Sequence, residues 1–346
     1  MLRLVFVDGQ FDAAASDDLK LAGVEIDRLP DAGARDIHWA QSIFGLLEAE
    51  GQAPVPRPLA TLNTASAKEG LLIRVTGQAA RPIHLVHRHE AAGTDAVLHH
   101  VIRLEPGASL TLLESGAAGA RLNAVTEMDI AQGATLHHVR SQGREHGRHV
   151  ATHLFARLGA GAVLRSFTLS LDGHLTRNEA VVTLAGDGAV AHLAGAAVGD
   201  GAEVHHDDTI FVTHAALGCE SRQVFKKVLM HGAVGVFQGK ILVRPGAQKT
   251  DGYQLSQALL LDETSQFLAK PELEIHADDV ACSHGSTTGA IDEAALFYLR
   301  TRGVPVAEAK DLLTLAFLRE ALDEVADADL AADLGRRLEA WLGRRR

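Results

Sequence analysis

Between about Gly70 and Gly289, short apolar runs alternate with glycine-containing turns. The runs Leu71–Val75, Val97–Leu104, Ser109–Leu113, Val163–Leu169, Ala180–Leu184, Thr209–Thr213 and Gly239–Val243 are rich in Val, Leu, Ile and Thr. That pattern predicts strands punctuated by turns. A Gly-Ala pair recurs at Gly107-Ala108, Gly133-Ala134, Gly161-Ala162 and Gly188-Ala189, at a spacing of about 27 residues, within the range of stacked repeats. It returns less regularly at Gly232-Ala233 and Gly246-Ala247. Many short strands fit a sandwich, a closed barrel or a β-solenoid. The repeat favours the solenoid, in which each coil adds a strand to a parallel sheet and buries small aliphatic side chains on its neighbour. Periodicity alone leaves a jelly-roll sandwich open.

The two ends of the chain change period. Ile37, Ala40, Phe44 and Leu47 recur at helical spacing. Pro54, Pro56 and Pro58 then stop any helix, because proline lacks the N–H and restricts the residue before it. This places a helical N-terminal domain over 1–64 and a β core over 65–290. Past Gly289, Asp292 is the expected N-cap of a helix over Glu293–Arg302, with Gly303 as its stop. Pro305 opens a second helix carrying Val306, Ala309, Leu313, Ala316 and Phe317 at helical spacing. A last helix carries Leu330, Leu334, Leu338 and Trp341, so a C-terminal helical domain covers 291–346.

Composition narrows the possibilities. A length of 346 residues predicts two or three structural units. Aromatics are only 4%, so Leu, Val, Ile and Ala must fill the core, which suits a narrow solenoid. A net charge of -11 argues against nucleic-acid and anionic-membrane partners, both of which need a positive field. The basic run Arg344, Arg345, Arg346 reads as a solvated tail. No apolar run approaches the roughly 20 residues of a membrane helix. The opening MLRLVFVDGQFD meets acidic residues too early for a signal peptide, and a cytoplasmic protein is expected. In that compartment Cys219 and Cys282 are free thiols or ligands rather than a staple.

The sharpest local feature is Asp278-Asp279-Val280-Ala281-Cys282-Ser283-His284-Gly285, at the end of the strand-like run Leu273–Val280. In an extended chain, residues two apart project to one face, so Cys282 and His284 point together. Thiolate and imidazole both ligate iron, and mixed ligation of iron–sulfur clusters is established chemistry. A protonated imidazole would lower the thiol pKa. Two ligands cannot close a tetrahedral site, and the same pair also reads as a half-buried cysteine beside a surface histidine. Cys219 reads as a small core hydrophobe. The pairs His99-His100, His137-His138 and His205-His206 cannot each chelate one ion, since neighbours on a strand face opposite ways, and are expected at the surface. His146, His149 and His153 would share a helix face, in Gly-rich polar surroundings. No GxxxxGK[ST] loop, GxSxG elbow or CxxC pair is present, so no nucleotide is bound by that route. Two Trp and two Tyr supply few aromatic platforms for a solenoid enzyme acting on carbohydrate.

From about Ser221 to Phe317 the chain resembles the SufB/SufD family of iron–sulfur cluster assembly proteins. The resemblance rests on Phe237-Gln238-Gly239-Lys240-Ile241, Ala247-Gln248-Lys249-Thr250-Asp251-Gly252, Leu259-Leu260-Leu261 and Lys270-Pro271-Glu272-Leu273-Glu274-Ile275. It continues through Asp278–Gly285 and Phe297-Tyr298-Leu299-Arg300-Thr301-Arg302-Gly303. Phe6-Val7-Asp8-Gly9 and Leu62-Asn63-Thr64-Ala65 are weaker matches. The Cys-Ser-His-Gly form is similar to the SufD branch, whereas SufB chains look like Glu-His-Glu-Ala-Thr there and are usually longer.

The resemblance implies a mainly β protein with a right-handed parallel β-helix between helical terminal domains. It also implies a non-enzymatic scaffold that pairs with SufB through the β-helix and docks the SufC ATPase on its C-terminal helices. The exposed sheet edges of a β-helix invite pairing, so a homodimer in isolation is open, and the sequence does not decide it. Cys282 and His284 match the positions implicated in holding a transient iron–sulfur cluster, or iron, at the SufB–SufD interface. The acidic residues Glu272, Glu274, Asp278 and Asp279 read as a solvated edge.

Overall fold

The computed structural model describes residues 1–32, 38–117, 119–143 and 147–344. Two sheets run along the molecule, one of ten strands and one of nine. Successive core strands alternate between them, so each coil gives one strand to each sheet. Every ladder between strands after Leu71 is parallel; for example, His149 lies between Arg121 and Leu175 one coil to either side. The protein is therefore mainly β, a parallel β-solenoid. The jelly-roll alternative, which needs antiparallel pairing, does not occur.

The Gly-Ala repeat has a physical cause. Gly107, Gly133, Gly161 and Gly188 adopt φ of +72°, +66°, +61° and +67°, a region open to glycine at no steric cost. The alanine after each is buried. Each glycine N–H donates to a carbonyl in the turn of the next coil: Gly107 to Gln132, Gly133 to Ala160, Gly161 to Asp187 and Gly188 to Leu217. Gly218-Cys219 is the next step of this ladder, with Gly218 at φ +64° and Cys219 buried in the position of the alanine. The repeat continues where the Gly-Ala text lapses. Gly232-Ala233 lies in the turn at the opposite side of the coil, after the strand Glu220–Met230.

Inside the solenoid, Leu104, Leu136, Leu158, Leu164, Val182 and Leu184 are wholly buried in one continuous cluster. Each such side chain stabilises the fold by about 1.5–3 kcal/mol through its removal from water.

The first 64 residues differ from the helical expectation. Leu2–Val7 pairs parallel with Ile83–Arg88, and Val24–Arg28 pairs antiparallel with Leu71–Val75, so this segment closes one end of both sheets. Among the described residues its helices are short: Leu29–Ala32, Leu46–Glu50 and Pro58–Ser66, with a 3-10 turn at Trp39–Ser42. Gly45, at φ +74°, interrupts the stripe that Phe44 and Leu47 share. Ile37, the first member of that stripe, lies outside the described residues. Ala40, Leu47 and Phe44 instead cover Leu72, Val101, Val125 and Phe155 on the outer face of the nine-stranded sheet. Glu127 locks them there, accepting the N–H groups of Gly45 at 2.6 Å and Glu48 at 3.0 Å and bonding His99 at 2.9 Å.

The C-terminal helices follow the sequence closely. Asp292 caps Glu293–Thr301 by accepting the N–H groups of Ala294 and Ala295, and Gly303 follows at φ +87°. Val306–Leu322 and Ala328–Gly343 lie on the outer face of the ten-stranded sheet, where Leu318, Leu322, Leu334, Leu338 and Trp341 pack on Phe167, Ala194, Val224 and Val228. The Trp341 indole N–H donates to the Asp172 carboxylate at 2.8 Å in a buried site. Trp341→Phe keeps the packing and removes that bond. It is expected to lower stability by about 2 kcal/mol, measured by urea unfolding. Among the described residues no helix is long and apolar enough to cross a membrane.

Candidate functional site

The run expected as one strand over Leu273–Val280 is broken. Gln266–Ile275 joins the nine-stranded sheet, the chain turns, and Val280–Gly289 becomes the last strand of the ten-stranded sheet. Among the described residues both strands pair on one side only, which leaves two free edges at this end of the solenoid.

Cys282 and His284 sit within the last strand, beside Gly252 and Gln254 of the preceding coil. The pleat puts them on one face, and that face looks toward the opposite sheet. Cys282 packs there with Ile241, Val243 and Leu273. Gly252 makes room for the thiol, since a Cβ on it would stand 3.2 Å from Sγ. Cys282 is half-buried, while His284, two residues on, is exposed. The expectation of a lowered thiol pKa does not hold: burial first, and then the Asp251 charge, push the Cys282 thiol up, against an opposing hydrogen bond to the Gly252 backbone. Metal ligation by Cys282 would therefore displace a proton. Among the described residues no group of three or more His, Cys, Asp or Glu could hold a metal ion.

The acidic edge is engaged locally. Glu274 bonds Lys240 at 2.5 Å and His276 at 3.0 Å, and Glu272 bonds Lys270 at 3.3 Å. The Lys240 hydrogen bond holds the Glu274 carboxyl below its ordinary range.

The other histidines correct the sequence reading. His99, His100, His138 and His206 are buried rather than at the surface. The alternation argument itself stands: His100 faces the interior, while its neighbour His99 lies outside, stacked on Phe44. The reason is that both faces of the sheets are occupied. One half of the solenoid interior is polar, and the outer faces are covered by the chain ends. His149 and His153 lie on a strand, His149–Leu158, not a helix, and His153 bonds Glu179 at 2.8 Å. His146 lies outside the described residues. Cys219 is the core thiol its sequence suggested, its pKa raised by burial.

Two residues that sequence reasoning passed over stand behind His284. Gln254 and Gln223 are fully buried and occupy the same register column, one and two coils inward. The only signal in the sequence was the spacing of one repeat from Gln223 to Gln254 and from Gln254 to His284.

A parallel β-solenoid with helices laid on its faces thus ends in a Cys-x-His strand at the sheet edge. Residues 87–317 match the family described as the SUF system FeS cluster assembly, SufBD core domain. The chain is 32% identical to the iron-sulfur cluster assembly protein SufD of Escherichia coli, over 97% of its own length and 79% of that protein's. It is 29% identical to an iron-sulfur cluster assembly SufBD family protein of Synechocystis, over 96% of its length and 76% of the relative's. To the iron-sulfur cluster assembly protein SufD of Bacillus subtilis it is 27% identical over 77% of its length and 63% of the relative's. The chain belongs to the SufB/SufD family of iron–sulfur cluster assembly proteins and is SufD-like within it.

Proposed function

We propose that this chain is a non-enzymatic scaffold subunit that supports de novo iron–sulfur cluster assembly at an interface with SufB, with His284 as a ligand to the nascent cluster or iron. The observation that carries the reading is the placement of Cys282 and His284 on one face of the terminal strand, beside an edge with no partner. A free strand edge is a ready template for pairing with another chain. A two-donor site on one chain is completed only by a partner, and an incomplete site releases its cargo readily. SufC is assigned to the C-terminal helices, where Phe297 and Tyr298 are 67% and 57% exposed on Glu293–Thr301. An exposed aromatic pair of this kind suits a protein contact. No nucleotide is held by this chain itself.

The test is anaerobic reconstitution with SufB and SufC, followed by absorption and Mössbauer spectroscopy. His284→Ala is expected to lower cluster yield at least fivefold while the three proteins still co-purify. Normal yield from the variant would remove the ligand role and leave a docking subunit. For Cys282 a second reading has its own support: its thiol is raised by burial and packs against Ile241 and Leu273. On that reading Cys282→Ser costs stability and leaves yield close to the native value.

A further inference from the structure

The helix Ala328–Gly343 packs on the ten-stranded sheet through Leu334, Leu338 and Trp341, but on one flank of that helix the packing stops. A cavity of about 470 Å³ opens there between helix and sheet. Its floor lies where the strands Ser109–Gly116, Thr135–Gln142 and Val163–Leu171 end, and includes Gly116, Ser141 and Gly143. Its roof is a single stripe of the helix: Asp333, Arg336, Arg337 and Ala340 recur at helical spacing, and Arg344 follows at the cap. The two glycines bring no side chain to the floor and Ala340 brings only a methyl group to the roof, so the space stays open.

The charge of this cleft runs against that of the chain. The protein carries a net charge of -11, yet the described lining holds the guanidiniums of Arg336, Arg337 and Arg344 against the one carboxylate of Asp333. Asp333 fixes two of the three. It accepts Arg336 Nη2 at 3.1 Å and Arg337 Nε at 2.8 Å. Against the penalty of burial, Arg337 and then Arg336 hold its carboxyl below the ordinary range. Each guanidinium has five N–H donors, so one bond to Asp333 leaves several to offer. The Arg336 and Arg337 side chains are 66% and 47% exposed, which keeps them within reach of a solute. The positive field extends to the neighbouring wall. His84 Nε2 lies 2.8 Å from the Ser115 hydroxyl, next to Gly116. Burial first, and then the Arg337 and Arg3 charges, hold that imidazole below its ordinary pKa. Arg344, which the sequence presents as the start of a solvated tail, is part of this wall.

We propose that the cleft binds a small oxyanion of two or more negative charges, a polycarboxylate or a phosphate compound, between Arg336, Arg337 and Arg344. The planar guanidinium fork matches carboxylate and phosphate alike, and two such forks held by one acid are already oriented for a ligand. Small-molecule sites typically enclose about 300–1,000 Å³, so the cavity suits a small solute better than a protein segment. Three strands of the ten-stranded sheet separate Val163–Leu171 from the terminal strand Val280–Gly289. The anion site is therefore distinct from the Cys282 and His284 strand, and neither reading depends on the other.

The experiment is isothermal titration calorimetry of the isolated full-length chain with citrate and, separately, with pyrophosphate, at about 20 mM ionic strength, where screening is weak. Saturable binding of one equivalent is expected. Tighter binding of citrate assigns the site to carboxylates, and tighter binding of pyrophosphate to phosphates; either supports the proposal. The double variant Arg336→Gln, Arg337→Gln is expected to lose affinity at least tenfold, as the removal of charge-assisted hydrogen bonds implies. A control double variant, Arg300→Gln, Arg302→Gln, removes the same charge from exposed positions at the end of Glu293–Thr301. It should bind within about twofold of wild type, since those charges are exposed and screened. All four substitutions replace exposed side chains, and urea unfolding confirms that the variants remain folded. Equal losses in the two double variants would overturn the proposal, because the anion would then feel only the overall charge. Absence of saturable binding by both anions would overturn it as well. So would binding of a polyglutamate peptide alone, which would make the cleft a protein contact.

Discussion

Lowering the pH from 7 toward 4 is expected to unfold this protein steeply, well before most of its carboxylates titrate. Burial drives His87, His206 and His214 down to a pKa of about 4, and His100 to about 3. Each sits inside the solenoid as a neutral ring; His206 Nε2 lies 2.9 Å from the Asp172 carbonyl, and His214 Nε2 lies 2.7 Å from the Ser221 hydroxyl. In the unfolded chain the same rings titrate near 6.5. Between those values the unfolded state binds more protons than the native state, so stability rises with pH across the window and is lost as pH falls through it. A second group acts lower down. Hydrogen bonds from His153 and Arg177 hold Glu179 at about 2 against the penalty of burial, and Arg140 and His138 hold Glu114 well below its ordinary range. Those two carboxylates contribute stability that is present above about pH 4.5 and is lost as pH falls toward their native values. Urea unfolding at pH 7, 5.5 and 4.5 should show midpoints that drop at each step. His206→Gln, which keeps a donor for the Asp172 carbonyl, should flatten the drop. Equal midpoints at pH 7 and 4.5 would contradict the buried neutral histidines.

That interior was the part least legible in the sequence. The strand pattern and the Gly-Ala period located the coils, because both are local: alternation follows from the pleat, and the turn needs a glycine at positive φ. The C-terminal helices were legible for the same reason, from the cap at Asp292 to the Leu334–Leu338–Trp341 stripe. His138, His206, Gln223 and Lys227 could not be placed, because in a two-sheet solenoid the polar residues of alternating strands face inward along one half of the cross-section. An apolar–polar alternation in the text gives no sign of which face is the inner one. The N-terminal segment was misread because its covering role depends on a partner surface far along the chain, at Glu127 and Phe155. The candidate site fell between these cases. The Cys-x-His spacing in an extended strand fixed a common face for the two side chains. The burial that raises the thiol pKa depends on what Gly252 and Ile241 contribute from other coils.

Replacing Lys227 by methionine is the single substitution expected to damage this interior most. Lys227 comes from the ten-stranded sheet and Asp208 from the nine-stranded one, and their charged ends meet inside the solenoid. Their side chains are 1% and 9% exposed. The ammonium also donates to the His206 carbonyl at 3.3 Å, and Asn178 donates to the other Asp208 oxygen at 3.0 Å. Methionine preserves most of the stem and its packing but leaves a buried carboxylate without its cation, a loss of about 3–5 kcal/mol. The cost of Lys227→Met comes from the stranded charge and only slightly from missing contacts, so removing that charge should recover much of it. Asp208→Asn in the same chain is therefore expected to restore at least half of the lost stability, even though Asp208→Asn alone destabilises by stranding the ammonium. Urea unfolding of the two single variants and the double variant measures this coupling directly. Simple additivity of the two losses would mean that the pair does not act as a unit, and that the sheets are held together here by packing alone.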